Sequence, residues 1–396
     1  LVEKLRTVLK GEDVYMTVIG GSNLGGENAP EDKQREKQEI FPLVIRDWWA
    51  KAITSLTGSE LTLNLVNISG TGNDFYQYCS QAYLEDNLDL VLLESPASNF
   101  NQFKNVNQSI DLEQLTRQLL LHPQQPALIY VNLYHNTNHL LLGCKNFDGD
   151  GQKGLSHAYN ITSVRWPDFA CALTIENVGK PVVRNNGLSE DKHHINLLGH
   201  AQVSLMLIDT IRKVLLKITT DKGLAFHSRL FAQSLPKPVF ITTNKMITNP
   251  LCWTTVSPPN YQNTRIKNNL NIKVVKNTMF KFQPVIQPCG GSSGLCRHTY
   301  SYNGWVGTSV GATLIMSFTV PSAAPGNHAN TRSVLLATRT CSYCGNATAW
   351  IDNDFENATF INTKLLQAQT SVNVIAVRVN PGVHTLTIYV CSNQQA

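Results

Sequence analysis

No run of 18 or more apolar residues occurs anywhere in the 396-residue sequence, so no segment reads as a transmembrane helix. The longest apolar-rich stretch, residues 197–218, carries His200, Asp209, Arg212 and Lys213 and reads instead as an amphipathic helix. Charged residues are few, 15% of the total, and the formal charge of +5 is spread along the chain without a dense Lys/Arg block. Nucleic acid is therefore not an expected partner. Low-complexity tracts are lacking apart from short polar stretches, and no internal repeat points to a solenoid. No signal peptide is visible and residue 1 is leucine, so a processed or trimmed chain is expected. What is present, 42% hydrophobic residues over this length, suits a folded protein of two or three domains.

The nine cysteines are uneven. Cys79, Cys144 and Cys171 lie in the first part and cannot all pair within it. Cys252, Cys289, Cys296, Cys341, Cys344 and Cys391 crowd the last part, where up to three disulfides are expected in a pairing the sequence leaves open. Cys341-Ser-Tyr-Cys344 is alternatively half of a zinc site, against which the glycosylation sequons argue. Asn67-Ile-Ser69, Asn107-Gln-Ser109, Asn160-Ile-Thr162, Asn346-Ala-Thr348 and Asn357-Ala-Thr359 fit N-x-[ST]. Asn107, Asn160, Asn346 and Asn357 are the glycosylation candidates, and the load favours a secreted, luminal or cell-surface protein.

The first half alternates. Strand-like runs at 14–19, 61–68, 88–93 and 127–133 are separated by segments of helical spacing, which predicts a parallel sheet covered on both faces. Phe41, Val44, Ile45, Trp48, Trp49 and Ile53 mark one covering helix, and Val203, Leu207, Ile211, Val214 and Ile218 mark another that begins near Asn196. Residues 1–220 thus form an α/β domain. Residues 221–249, with Pro236 and Pro238, read as a linker, and residues 250–396 as short alternating strands of a β-sandwich.

Four segments carry chemistry. Ser22 follows Gly20 and Gly21 at the end of the first strand, where loops of an open α/β sheet converge and glycines permit a tight turn and close substrate approach. Leu24 excludes the G-x-S-x-G elbow, and Gly-Gly-Ser alone is more often a plain turn. Asp191 stands three residues before His194 in a loop that enters a helix, a spacing that lets a carboxylate orient an imidazole. The rival there is a solvated loop with a helix-capping Asn196. Gly70, after the second strand, can present its N–H to an oxyanion, and Phe75 in place of a third glycine dismisses a dinucleotide fingerprint. Asn99, after the third strand, can offer a side-chain amide or be an ordinary loop residue. The Asn146-x-Asp148-x-Asp150-Gly151 stretch lacks the closing Glu of an EF-hand, and His135 and His139 lack a third ligand, so no metal is expected. Tyr134, His135, Trp48 and Trp166 are pocket candidates that core burial explains equally well.

In chain order, Gly20-Gly21-Ser22, Asn67-Ile68-Ser69-Gly70, the Asn99 loop and Asp191-x-x-His194-x-Asn-x-x-Gly-His resemble the blocks of the SGNH, or GDSL-type, esterase and lipase superfamily. The resemblance spans roughly residues 12–218. It implies a flavodoxin-like three-layer α/β/α domain, followed here by an all-β sandwich of the kind appended to eukaryotic relatives, which binds sugar or merely shields the catalytic edge. It implies a catalytic Ser22, His194 and Asp191, and an oxyanion hole of the Ser22 N–H, Gly70 and Asn99. Three departures stand out: Gly21 replaces the usual aspartate, Ser98 holds the usual asparagine place with Asn99 one further, and Ile195 replaces a common proline, which should matter little.

The expected function is a serine esterase removing O-acyl groups, chiefly O-acetyl, from carbohydrate. It needs no cofactor, and its partner is an acylated carbohydrate or other small ester. The alternatives are an O-acyltransferase with the same triad, or a non-catalytic carbohydrate- or receptor-binding protein on a degraded scaffold.

Overall fold

The computed structural model describes residues 1–26, 39–68, 70–94, 106–133, 152–166, 168–169, 187, 194–220, 235–242, 247, 251–256, 266–286, 299–322, 332–341, 344–364 and 370–391. Two compact units emerge: Leu1–Ile68 with Gly72–Leu251 and Asn260–Arg265, and Ile266–Ala396 with Cys252–Pro259 and Ser69–Thr71.

The first unit is built on five parallel strands, β1 (Val14–Gly20), β2 (Leu61–Asn67), β3 (Leu90–Glu94), β4 (Ala127–Asn132) and β5 (Thr162–Arg165), in the order β2-β1-β3-β4-β5. This is the flavodoxin-like order. β3 and β4 are buried at every position, as suits strands covered on both faces, and that is why their sequences run apolar without alternation. On one face Met16, Val18, Leu65, Leu92, Ile129 and Val131 join a single core with α1 (Val2–Val8), α2 (Phe41–Trp48) and the long helix α6 (Leu197–Thr220). The predicted helical face of Val203, Leu207 and Ile211 lies fully in this core, with Val214 and Ile218 partly buried at its edge. On the other face lie α3 (Asn73–Cys79) and α4 (Val106–Leu120). Tyr76 donates its hydroxyl to Gly20 O at 2.7 Å, and the Thr116 and Tyr130 hydroxyls lie 2.6 Å apart. Between β4 and β5 runs α5 (Gln152–Ala158).

Pro42 sits in the first turn of α2, where its missing N–H costs nothing. The chain then passes through a π-helical turn, Trp49–Thr54, and stops at Gly58, whose φ of 82° caps the helix in the left-handed region. Trp48 packs against this core and Trp166 is buried, donating its indole N–H to Gln202 Oε1 at 2.9 Å. Both pack in or against the core of the first unit. Tyr134, His135, His139 and the stretch 146–151 lie outside the described residues.

The segment read as a linker departs from that expectation where it is described. Glu113 of α4 is buried and accepts the backbone N–H groups of Val239, Phe240 and Ile241 at 2.6, 2.7 and 3.0 Å. Gln114 holds Ile247 from both sides, donating to its carbonyl and accepting its N–H. Side-chain acceptors on a helix thus tie this polar stretch to the first unit. Its lack of apolar periodicity concealed the docking.

The second unit is all-β. An antiparallel sheet orders β12 (Thr359–Asn362), β11 (Asn346–Ile351), β14 (Gly382–Val390), β9 (Thr313–Val320) and β6 (Ile272–Thr278). Two ribbons accompany it, β10 (Arg332–Arg339) with β13 (Thr370–Val379), and β7 (Phe280–Ile286) with β8 (Thr299–Gly307). Leu314, Met316, Phe318, Val320, Ala349, Ile351 and Leu386 from the sheet share one core with Ile375 and Val379 of β13 and Phe280 of β7. The strict alternation along β9 is the period-2 pattern of a strand with one face in that core.

Cys341 and Cys344 form a disulfide, which removes the half-zinc alternative, and Cys79 and Cys252 are disulfide-bonded as well. Cys391 is free. Three bridges among the six downstream cysteines are therefore excluded. Asn67, at the end of β2, is only 3% exposed, so its sequon is no acceptor in the folded chain. Asn346 is half-buried within β11, with its side-chain oxygen enclosed. Asn160 and Asn357 are exposed, and Asn107 lies in the first turn of α4.

Candidate active site

β1 lies between β2 and β3, so the chain leaves β1 to one side and later returns on the other. The loops at the carboxyl ends of β1 and β3 therefore part, leaving the crevice where open α/β sheets bind ligands. Ser22 stands at that point, in a turn closed by Gly25 N donating to Gly21 O at 3.3 Å and Gly26 N to Asn23 O at 3.2 Å.

Glu94, the last residue of β3, fixes the base of this turn. Its Oε2 accepts the Gly21 N–H at 3.1 Å, and its other oxygen is buried without a hydrogen-bond partner among the described residues. A side chain at Gly20 would place its Cβ 2.5 Å from Glu94 Oε2 and 2.7 Å from Glu94 O. Gly20 is thus required by the neighbouring strand. Nothing in the sequence marks Glu94 as part of the site beyond its place at a strand end. Burial raises its carboxyl to about 8, against the backbone N–H groups of Gly21 and Leu24, whose dipoles favour the anion. The sign of the consequence follows from linkage. Unfolded, the acid ionises near 4.5, while the folded chain keeps its proton until about 8, so rising pH across that window favours unfolding. Glu94→Gln removes this titration. Wild type should lose stability relative to Glu94→Gln between pH 5 and pH 8, by up to about 1.4 kcal/mol per pH unit; parallel stability curves from denaturant unfolding contradict the assignment.

The second component arrives from far downstream. His194 Nε2 lies 2.8 Å from Ser22 Oγ, and both residues are buried. That separation is within hydrogen-bond reach for a base and a nucleophile. Immediately after the histidine, the Ile195 N–H donates to Asn23 Oδ1 at 2.9 Å. Asn196 Oδ1 accepts the Gly199 N–H at 3.0 Å, a side-chain cap on the N-terminus of α6. The cap that the sequence offered as a rival to catalysis therefore coexists with the His194 contact. One turn into α6, His200 accepts the Phe41 N–H on Nδ1 at 3.3 Å and stacks on the Phe41 ring. Its complete burial, with His194 nearby, lowers its pKa to about 3. It stands as a neutral imidazole with the proton on Nε2.

Of the remaining candidates, Gly70 follows β2 with a φ of 70°, in the left-handed region that favours glycine. Asp191 and Asn99 lie outside the described residues. Among the described residues no cluster of His, Cys, Asp and Glu suited to a metal occurs.

The sequence matches no protein-family model and no curated protein. Its structure is similar to that of a two-domain esterase (CEX) active on acetylated mannans, with a TM-score of 0.56 and 15% identity, over 99% of this chain and 90% of that one. The same esterase co-crystallized with mannopentaose gives a TM-score of 0.58 and 16% identity, over 99% and 89%. The fold is that of a two-domain esterase. A putative GDSL-like lipase from Parabacteroides merdae ATCC 43184 matches 51% of this chain and 96% of its own, with 13% identity and a TM-score of 0.39. The α/β unit followed by the all-β unit thus has a counterpart along nearly the whole chain.

Proposed function

We propose that this protein is a serine esterase that removes O-acyl groups, chiefly O-acetyl, from carbohydrate. The observation that carries the reading is the 2.8 Å separation of His194 Nε2 from Ser22 Oγ, at the carboxyl edge of β1. His194 takes the Ser22 proton as Oγ attacks the ester carbonyl, then gives it to the departing sugar hydroxyl. Water attacks the resulting Ser22 ester with His194 again as base, which releases the acid and restores the serine. Asp191 orients the imidazole, and the Ser22 N–H, Gly70 and Asn99 are the oxyanion donors. The carbohydrate part of the substrate is suggested by the acetylated mannans on which the similar two-domain esterase acts.

The all-β unit is read as an accessory that holds glycan. It exposes Phe282 and Trp305 as adjacent rings, 5.2 Å apart between centroids, a surface suited to the apolar faces of sugars. The disulfides support a secretory destination.

Incubation with O-acetylated mannan should release acetate, and chemically deacetylated mannan should release none. Acetate transfer to added mannooligosaccharide at the expense of free acetate would make the enzyme an acyltransferase. Binding to mannan without loss of acetyl groups would overturn the enzymatic reading in favour of a binding protein.

A further inference from the structure

The nucleophile turn and the histidine loop are joined twice within a few ångströms. One joint is the Ser22 to His194 contact itself; the other is the bond from the Ile195 N–H to Asn23 Oδ1, at 2.9 Å and buried. Asn23, beside the serine, therefore grips the residue beside the histidine, across 172 positions of sequence. Because the Ile195 N–H can only donate, the oxygen of the Asn23 amide must face it. The amide nitrogen is buried without a hydrogen-bond partner among the described residues, and the side chain is 1% exposed. Such a group is costly to bury and is held for the one bond it makes.

Resting on the esterase reading, we propose that Asn23 is a positioning residue that sets the Ser22 to His194 distance. The proposal gives residue 195 a role that sequence comparison misses. A proline there has no N–H, so the isoleucine at this position is what makes the Asn23 bond available. The proposal runs against the expectation that this replacement matters little. Glu94 acts on the opposite side of the turn through Gly21 N, leaving Ser22 bracketed between two fixed points. Loss of the Asn23 bond would free the histidine loop by an ångström or less, a displacement to which near-attack geometry is sensitive.

The test compares Asn23→Leu, which deletes the acceptor at similar volume, with Asn23→Asp, which keeps an oxygen facing Ile195. On p-nitrophenyl acetate, Asn23→Leu should lower kcat about 10- to 100-fold with KM changed less than about threefold, and Asn23→Asp should recover most of kcat. If Asn23→Leu does not fold, Ile195→Pro removes the same bond from its other end and should show the same split. A kcat within about threefold of wild type in the deletion variant, or Asn23→Asp as slow as Asn23→Leu, overturns the role. A wild-type protein that hydrolyses no ester sinks the functional reading instead. The positioning is then read from the ¹⁵N shifts of the His194 ring, which move in Asn23→Leu if Asn23 holds the loop and stay fixed if it does not.

Discussion

Ser22→Ala should reduce kcat/KM for p-nitrophenyl acetate by at least about a thousandfold, roughly 4 kcal/mol of transition-state stabilisation, while leaving thermal unfolding nearly unchanged. In the proposed mechanism the substitution deletes the atom that forms the covalent intermediate. It also removes the hydroxyl 2.8 Å from His194 Nε2, so the imidazole has no nucleophile to activate. His194→Ala should cost a similar factor, because without a base the hydroxyl stays protonated. The double variant should be scarcely worse than either alone, since the two groups act as one unit. Equal activity in Ser22→Ala and wild type would transfer any observed hydrolysis to another site.

The second large effect concerns stability. Glu113→Ala should destabilise the chain by about 3 to 5 kcal/mol. The Glu113 carboxylate is wholly enclosed and accepts the Tyr159 hydroxyl as well as the N–H groups of Val239, Phe240 and Ile241. Arg117 supports the same cluster, donating to the Tyr159 hydroxyl at 2.8 Å and to Pro236 O at 2.7 Å. Alanine leaves these donors facing an empty space. Glu113→Gln, which retains an acceptor oxygen but turns an amide toward other donors, should fall between the two. Urea unfolding at neutral pH measures the difference, and a loss below about 1 kcal/mol would show that water replaces the carboxylate without penalty.

The parallel strands were legible because burial on both faces writes an uninterrupted apolar run, and α6 because its inward face repeats at helical spacing. Ser22 and His194, which the fold brings within 2.8 Å, were singled out on other grounds: the two glycines before the serine and Asp191 three residues before the histidine. Glu94 and Asn23 were not. Each is a polar residue whose meaning lies in a backbone N–H 73 or 172 positions away, and local sequence holds no trace of that partner. The stretch around Pro236 and Pro238 was misread on the same grounds, since backbone donors to Glu113 leave no apolar signature. Asn67 shows the opposite case. Its sequon is local and explicit, and strand burial cancels it.

The central claim is that His194 activates Ser22, and a fluorophosphonate probe tests it without assuming any substrate. Mass spectrometry of the labelled wild-type protein should find the phosphonyl group on Ser22 alone, with labelling slowed at least about a hundredfold in His194→Ala. Labelling at another residue, or at the same rate with the imidazole removed, would contradict it.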